Sequence, residues 1–263
     1  MKRSLNILIL LPLLLQACGV LPIAEPATST PMPTKTSIPT ATSTLLPTET
    51  PTPVPTNTPD AAATTAARST AEADAILGEL DELLGNTDIP YKEGHLEWKQ
   101  VKPLMVSLTG PGWDYVEVDK DLQAANFILK SDVTWKATGI IICNVIFRAE
   151  PDLVKGKQYD FSFLRFSGLP AWEIGVYEHG KFLNSPTKVQ YSDAIDLDNR
   201  ATNEVLLIVQ DEQFNLYING AHQGRYFDYS KQRMEGTFGF SADQDSGEGS
   251  CNFENSWVWS LDK

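Results

Sequence analysis

Histidine and cysteine are scarce, three of each in 263 residues. His95, His179 and His222 stand alone, and the sequence holds no His-Glu-x-x-His pair, no Gly-x-Ser-x-Gly elbow and no Gly-rich phosphate loop. These gaps exclude the signatures of zinc hydrolases, serine hydrolases and phosphate-loop enzymes. Basic residues are outnumbered, 21 against 34 acids, for a net charge of −13. From residue 88 onward the balance is 26 acids to 17 bases, so no nucleic-acid partner is expected. Neutral sugars, cationic groups and calcium remain compatible. The apolar run Ile7 to Leu15 is too short to cross about 30 Å of hydrocarbon at about 1.5 Å per residue.

That run follows Lys2 and Arg3 and precedes the small Ala17, the layout of a cleaved export signal. Leu15-Gln16-Ala17-Cys18 resembles the lipobox of bacterial lipoproteins, with Gln16 a less usual residue inside it. The resemblance implies that residues 1–17 are a signal peptide and that Cys18 is lipidated as the mature N-terminus. The protein would then be extracytoplasmic, touching the membrane through its lipid anchor only. Between Glu25 and Asp60 stand 12 Thr, 9 Pro and 3 Ser, with no aromatic residue. Such a segment cannot bury enough surface to fold, and proline biases it toward extended polyproline conformation. Residues 18–60 therefore read as a disordered Thr/Pro-rich stalk, reaching on the order of 100 Å at about 3.1 Å per residue.

Character changes at residue 61. Ser69-Thr70-Ala71-Glu72 matches a capping box, Ile76, Leu77, Leu80, Leu83 and Leu84 recur at helical spacing, and Gly85 is a natural stop. The spacing predicts one short amphipathic helix within 61–87, docked on or leading into the next domain. It is too short for a coiled coil.

Residues 88–263, 176 in all, are enough for one well-cored domain, and their pattern is β throughout. Phe127, Leu129, Ser131, Val133 and Trp135 alternate with Ile128, Lys130, Asp132 and Thr134, a half-buried strand. Gly139 to Phe147 is more continuously apolar, as in a strand buried on both faces. Asn219-Gly220 between two apolar runs predicts a type I′ hairpin. The order of the Trp135 strand, Ile146-Phe147-Arg148, Tyr159-x-Phe161, Asn203 to Val209, Phe214 to Gly220, Gly236 to Phe240 and Phe253 to Trp259 resembles the concanavalin A-like lectin and glucanase superfamily. Within it, the closer likeness is to laminin-G-like or three-keto-disaccharide-hydrolase-like domains. The implied fold is an all-β, two-sheet antiparallel jelly-roll sandwich. The implied function is carbohydrate binding or glycoside hydrolysis.

Glucanases of the superfamily carry Glu-x-Asp-x-Glu on one strand, where alternate residues share a face and two carboxylates act together. The nearest match, Glu117-Val-Asp119-Lys-Asp121, ends in the shorter Asp and lies before the matching strands. It reads as a solvated strand edge, and no catalytic residue is assigned. The resemblance also implies a structural calcium ion. Asp243, Asp245, Glu248 and Glu254 are its candidate ligands, because acids alternate among glycines in this loop. Glu248 stands where a calcium-binding loop needs glycine, so a plain acidic turn is the other reading.

Cys143 and Cys251 form an even pair in an exported domain and are expected to be disulfide-bonded. Sugar recognition needs flat aromatic surfaces with polar partners. Trp113, Trp172 and Tyr177 are the aromatic candidates, and Arg148, Tyr159 and Arg165 the polar ones. Trp135 is weighed with them but, like Trp257 and Trp259, sits in an apolar strand and reads as core. Trp172, after Ser167-Gly-Leu-Pro170, is expected to be exposed, while Arg148 with Tyr159 is either a ligand contact or a buried structural one. The sequence thus describes a surface-anchored sandwich that binds a glycan or surface polymer without catalysis. A glycoside hydrolase and a protein-interaction or wall-spacing module are the alternatives.

Overall fold

The computed structural model describes residues 61–119, 121–166 and 168–262. The expected signal peptide 1–17, the lipidation site Cys18 and the stalk 18–60 lie outside the described residues. A helix α1 (Ala61–Leu84) and a single 3-10 turn (Tyr91–Glu93) precede the strands. In chain order these are β1 (His95–Lys99), β2 (Leu104–Thr109), β3 (Gly112–Glu117), β4 (Phe127–Ala137) and β5 (Ile141–Ala149). Next come β6 (Lys157–Phe166), β7 (Leu169–Glu178), β8 (Lys181–Asn184), β9 (Gln190–Tyr191) and β10 (Thr202–Gln210). The last are β11 (Gln213–Ile218), β12 (Ala221–Phe227), β13 (Thr237–Gln244) and β14 (Glu248–Ser260).

Two antiparallel sheets face each other. The first runs β1-β14-β4-β10-β11-β12, with β2 also paired to β14; the second runs β3-β13-β5-β6-β7-β8, with β9 on β7. This is the expected two-sheet sandwich. Period-two alternation sends Phe127, Leu129, Val133 and Trp135 from β4 and Cys143, Val145 and Phe147 from β5 into the core between the sheets. Asn219 and Gly220 join β11 to β12 with φ of 48° and 75°, the two positive angles of the expected hairpin turn.

A β-bulge in β14 decides the other face of the first sheet. Register with β4 shifts between Glu254 and Trp257, where Asn255 has φ 51°. The extra residue reverses the alternation, so Cys251 and Phe253 point inward while Trp257 and Trp259 point outward. With Ile128, Leu206 and Ile208 they make the outer face of this sheet apolar, and α1 covers it through Ile76, Leu80 and Leu84. Polar contacts fix the docking. Lys130 pairs with Glu79 of the helix and, at 2.9 Å, with Glu204; Tyr91 Oη donates to Asp81 at 2.7 Å; Trp259 Nε1 donates to the Tyr91 carbonyl at 2.9 Å. The helix starts earlier than the capping box implies: Ser69 to Glu72 lie inside it, because the alanine-rich stretch from Ala61 continues it upstream. Among the described residues no helix is long and apolar enough to cross a membrane.

The disulfide Cys143–Cys251 ties β5 to β14, hence sheet to sheet, with Cα atoms 5.7 Å apart across a sequence separation of 108. Two stability outcomes follow. Replacing both cysteines by Ala should cost about 2 to 5 kcal/mol, read as a lowered denaturant midpoint; an unchanged midpoint would contradict the role of the cross-link. Leu80→Ala, at a side chain with no exposure, should cost about 2 to 5 kcal/mol in the same assay if α1 is part of the cooperative unit.

Candidate functional site

The outer face of the second sheet is built differently. Its outward residues on β6 are Gln158, Asp160 and Ser162, and on β5 Asn144 stands between Ile142 and Ile146. Asp243 and Ser241 come from β13, Trp113 and Tyr115 from β3, and Tyr177 from β7. Asn144 is the one polar side chain on the outward face of β5, between Ile142 and Ile146. Its Nδ2 donates to Ser241 Oγ and to Asp243 Oδ2, both at 3.0 Å. Gln158 Nε2 donates to Asp160 Oδ1 at 2.8 Å. Both amides thus use their N–H groups on this face, while Asn144 Oδ1 and Gln158 Oε1 are buried and accept no hydrogen bond among the described residues.

Register shapes a cavity here. Gly239, Ile146, Asp160 and Gly175 lie side by side across β13, β5, β6 and β7. A Cβ on Gly175 would come 2.8 Å from the Tyr177 ring, and one on Gly239 2.8 Å from Leu153. The two glycines therefore let Tyr177 fold over one side of Asp160 and Leu153 over the other. The resulting cavity of about 140 Å³ is lined by Trp113, Leu153, Gln158, Asp160, Tyr177 and Asp243, with Gly156 and Gly180 at its edge. Asp243 also lines a wider, open depression of about 440 Å³ with Ile140, Ile142, Gln244 and Asp245. The two share a carboxylate and form one groove. Trp113 stacks on Tyr115 at its side, centroids 4.9 Å apart.

Electrostatics follow from burial without a cation. Asp160 is 4% exposed. Burial pushes its pKa up to about 8, with the Gln158 hydrogen bond pulling against the rise and the nearby Asp243 adding to it. Burial likewise pushes Asp243 up to about 6 against the hydrogen bond from Asn144. Near neutral pH one carboxyl holds its proton while the other is ionised. Tyr177 is raised as well, chiefly by burial and then by the charges of Asp160, Glu173 and Asp243.

Of the sequence candidates, Trp113, Tyr177 and Asp243 line the small cavity, and Asp245 lines the open depression beside it. Trp172 is 1% exposed rather than open: parity on β7 turns it between the sheets, against Phe161 and Tyr226. Tyr159 points inward too, donating its hydroxyl to Asp228 and stacking on Phe147. Arg148 occupies a bulge with φ 46° and is 1% exposed. Its guanidinium donates to the carbonyls of Ala125 at 3.0 Å, Asp211 at 2.7 Å and Arg233 at 3.4 Å, stitching three connections together. Burial holds its pKa down, to about 10, so Arg148 and Tyr159 make the structural contact and not the ligand contact. Arg165 lies apart, lining a depression beside Gly139 and Leu197 and donating to the Leu197 carbonyl at 3.1 Å.

The expected calcium ligands are not gathered. Asp243 faces the groove, Asp245 and Glu248 sit at the exposed turn, and Glu254 is paired with Asp132 in the opposite sheet. Six residues of extended strand carry Glu254 roughly 20 Å past Glu248. Among the described residues no group of three or more His, Cys, Asp or Glu is placed to hold a metal ion, so these residues do not fit one. In the glucanase-like segment, Glu117 ends the edge strand β3 and Asp119 lies beyond it, bonded to the Asp121 amide at 3.0 Å. The acids therefore do not share one strand face. Asp160, Asn144 and Gln158 went unnoticed in the sequence, although a lone Asn in an apolar strand and a polar alternation between Tyr159, Phe161 and Phe163 were their signal.

A folded-state pKa of about 8 for Asp160, against an ordinary 3.8, means that the native chain keeps a proton the unfolded chain has lost. Its contribution to stability is complete below about pH 4 and is lost as pH rises toward about 8. Asp160→Asn should flatten that fall, raising Tm over the parent near pH 9 and little near pH 4. Parallel melting curves across the range would contradict the assignment.

No protein-family model matches the sequence, and no curated protein matches it. Solved structures do. The carbohydrate binding module CBM66 from Bacillus subtilis is 14% identical, with 59% of this chain and 95% of that one covered at a TM-score of 0.42. A beta-glucanase from Bacillus licheniformis is 11% identical, with 61% and 79% covered at 0.43. The galectin LEC-6 from Caenorhabditis elegans is 11% identical, with 56% and 95% covered at 0.36. At these identities the likeness concerns the fold alone.

Proposed function

We propose that the chain is a lipid-anchored, extracytoplasmic protein whose sandwich binds a glycan in the groove of the second sheet without turning it over. The observation that carries this reading is the stacked Trp113–Tyr115 pair beside a buried row of hydrogen-bonding groups on a sheet face. Sugar rings present C–H faces to aromatic planes and hydroxyl donors to fixed acceptors, and this groove offers both. The lipobox-like Leu15 to Cys18 segment supports the anchor, and the inter-sheet disulfide is consistent with an oxidising compartment.

On a glycan array the full chain should be retained by a defined subset of glycans. Trp113→Ala and Tyr177→Ala should each reduce retention about tenfold with little change in Tm, a loss of about 1.4 kcal/mol. Trp172→Ala should instead lower Tm, since its ring lies in the core. No retention across a broad array would overturn the reading.

One observation favours a second reading, glycoside hydrolysis: two carboxyls of different acidity line one cavity. Asp160 would then be the proton donor and Asp243 the ionised partner. Release of reducing ends from a bound oligosaccharide, lost at least about 100-fold in Asp160→Asn and in Asp243→Asn, would establish it. Binding without release leaves the non-catalytic reading in place.

A further inference from the structure

We infer that the small cavity between Asp160, Gln158 and Asp243 is an ammonium subsite, which selects glycans carrying a free amino group. The inference rests on the glycan-binding reading and names the chemistry that reading leaves open. Hydrogen-bond accounting carries it. Gln158 is 4% exposed, lines the cavity, and has its amide N–H engaged on Asp160, leaving Oε1 without a partner among the described residues. Asp243 takes one hydrogen bond from Asn144, which covers one of its two oxygens. No Lys, Arg or His is among the residues lining the cavity. The cavity therefore offers open acceptors at Gln158 Oε1 and the second Asp243 oxygen, with no cationic side chain beside them.

An ammonium group meets this inventory. It brings three donors and a positive charge, where a hydroxyl brings one donor and no charge. The aromatic planes of Trp113 and Tyr177 on the cavity wall attract a cation through their negative faces. Size agrees: about 140 Å³ holds one substituent rather than an oligosaccharide, while the adjoining depression of about 440 Å³ leaves room for the rings. An N-acetyl group has a single N–H and a carbonyl that would face the carboxyls. Sulfated or carboxylated sugars would meet like charge.

A proton balance gives a second readout. Of the titratable and charged groups around Asp160, Asp243 on β13 acts on it directly, and Tyr177 on β7 feels Asp160 together with Glu173 and Asp243. None supplies positive charge, so a bound ammonium becomes the first cation in the cavity and draws the Asp160 proton off.

The test uses the full chain and calorimetric titration at about pH 6, below the pKa of an amine, near 7.7. Hexamers of glucosamine, N-acetylglucosamine and glucose are compared. The glucosamine hexamer should bind at least about tenfold more tightly than the other two, with an observed enthalpy that varies linearly with the buffer's ionisation enthalpy, the slope giving the protons released. Asp160→Asn and Gln158→Leu should each erase the preference. If neutral hexamers bind as well as the glucosamine hexamer, the ammonium subsite is wrong while glycan binding stands. If none of the three binds and the array is also blank, both fail. A preference unchanged in both variants would overturn the assignment of the subsite to this cavity.

Discussion

The burial of Trp257 and Trp259 beneath α1 is the constraint from which the rest of this structure follows. A sandwich has two outer faces, and here one of them carries an apolar patch, with Ile128, Leu206 and Ile208 beside the two tryptophans. Left open to water, that face would be an aggregation hazard and would expose some of the largest side chains in the domain. The helix removes the hazard, and Lys130, pinned between Glu79 and Glu204, fixes its rotation. The sandwich becomes one-sided as a result. An apolar patch of one broad face is closed by the chain's own helix, and the second sheet keeps an open groove in which aromatic and buried polar groups meet.

The bulge at Asn255 is what makes this arrangement compatible with the disulfide. β14 must send Cys251 and Phe253 inward to meet β5, and then send Trp257 and Trp259 outward to meet the helix. A regular strand cannot do both with odd-numbered residues alone. One extra residue reverses the parity, so the same strand closes the core at one end and receives the helix at the other.

Much of the fold was legible because it depends on local rules. Period-two alternation located β4, the Asn219-Gly220 pair specified its own turn, and spaced leucines marked the face of α1 that became buried. What escaped the sequence depends on register. Asp160 and Asp243 lie on β6 and β13, with β5 between them, and only the pairing through Ile146 and Ile142 brings them to one cavity. Trp172 misled for a related reason. The preceding Gly-Leu-Pro reads as a turn, but β7 begins inside it at Leu169, and that start sets Trp172 on the inward parity. Arg148 shows the same limit: a bulge aims its charged side chain at three backbone carbonyls, which no spacing rule anticipates.

The groove's energetics set it apart from the polar surface around it. A buried carboxyl without a cation is destabilising unless it keeps its proton, and each unanswered amide oxygen beside it adds a cost of about 1 to 3 kcal/mol. Several buried polar groups elsewhere are well met: Arg148 has three carbonyl acceptors, Asn219 bridges Ala194, Asn203 and Glu204, and Asp228 is surrounded by Tyr159, Ser230 and Gln232. A sequence able to satisfy those sites at the ends of its sheets is not short of donors. Of the four buried polar atoms without a partner among the described residues, Gln158 Oε1, Asn144 Oδ1 and Gln244 Oε1 belong to the second sheet and its groove, while Trp172 Nε1 lies in the core. The helix-covered patch adds buried apolar area, and the open groove concentrates the unsatisfied groups.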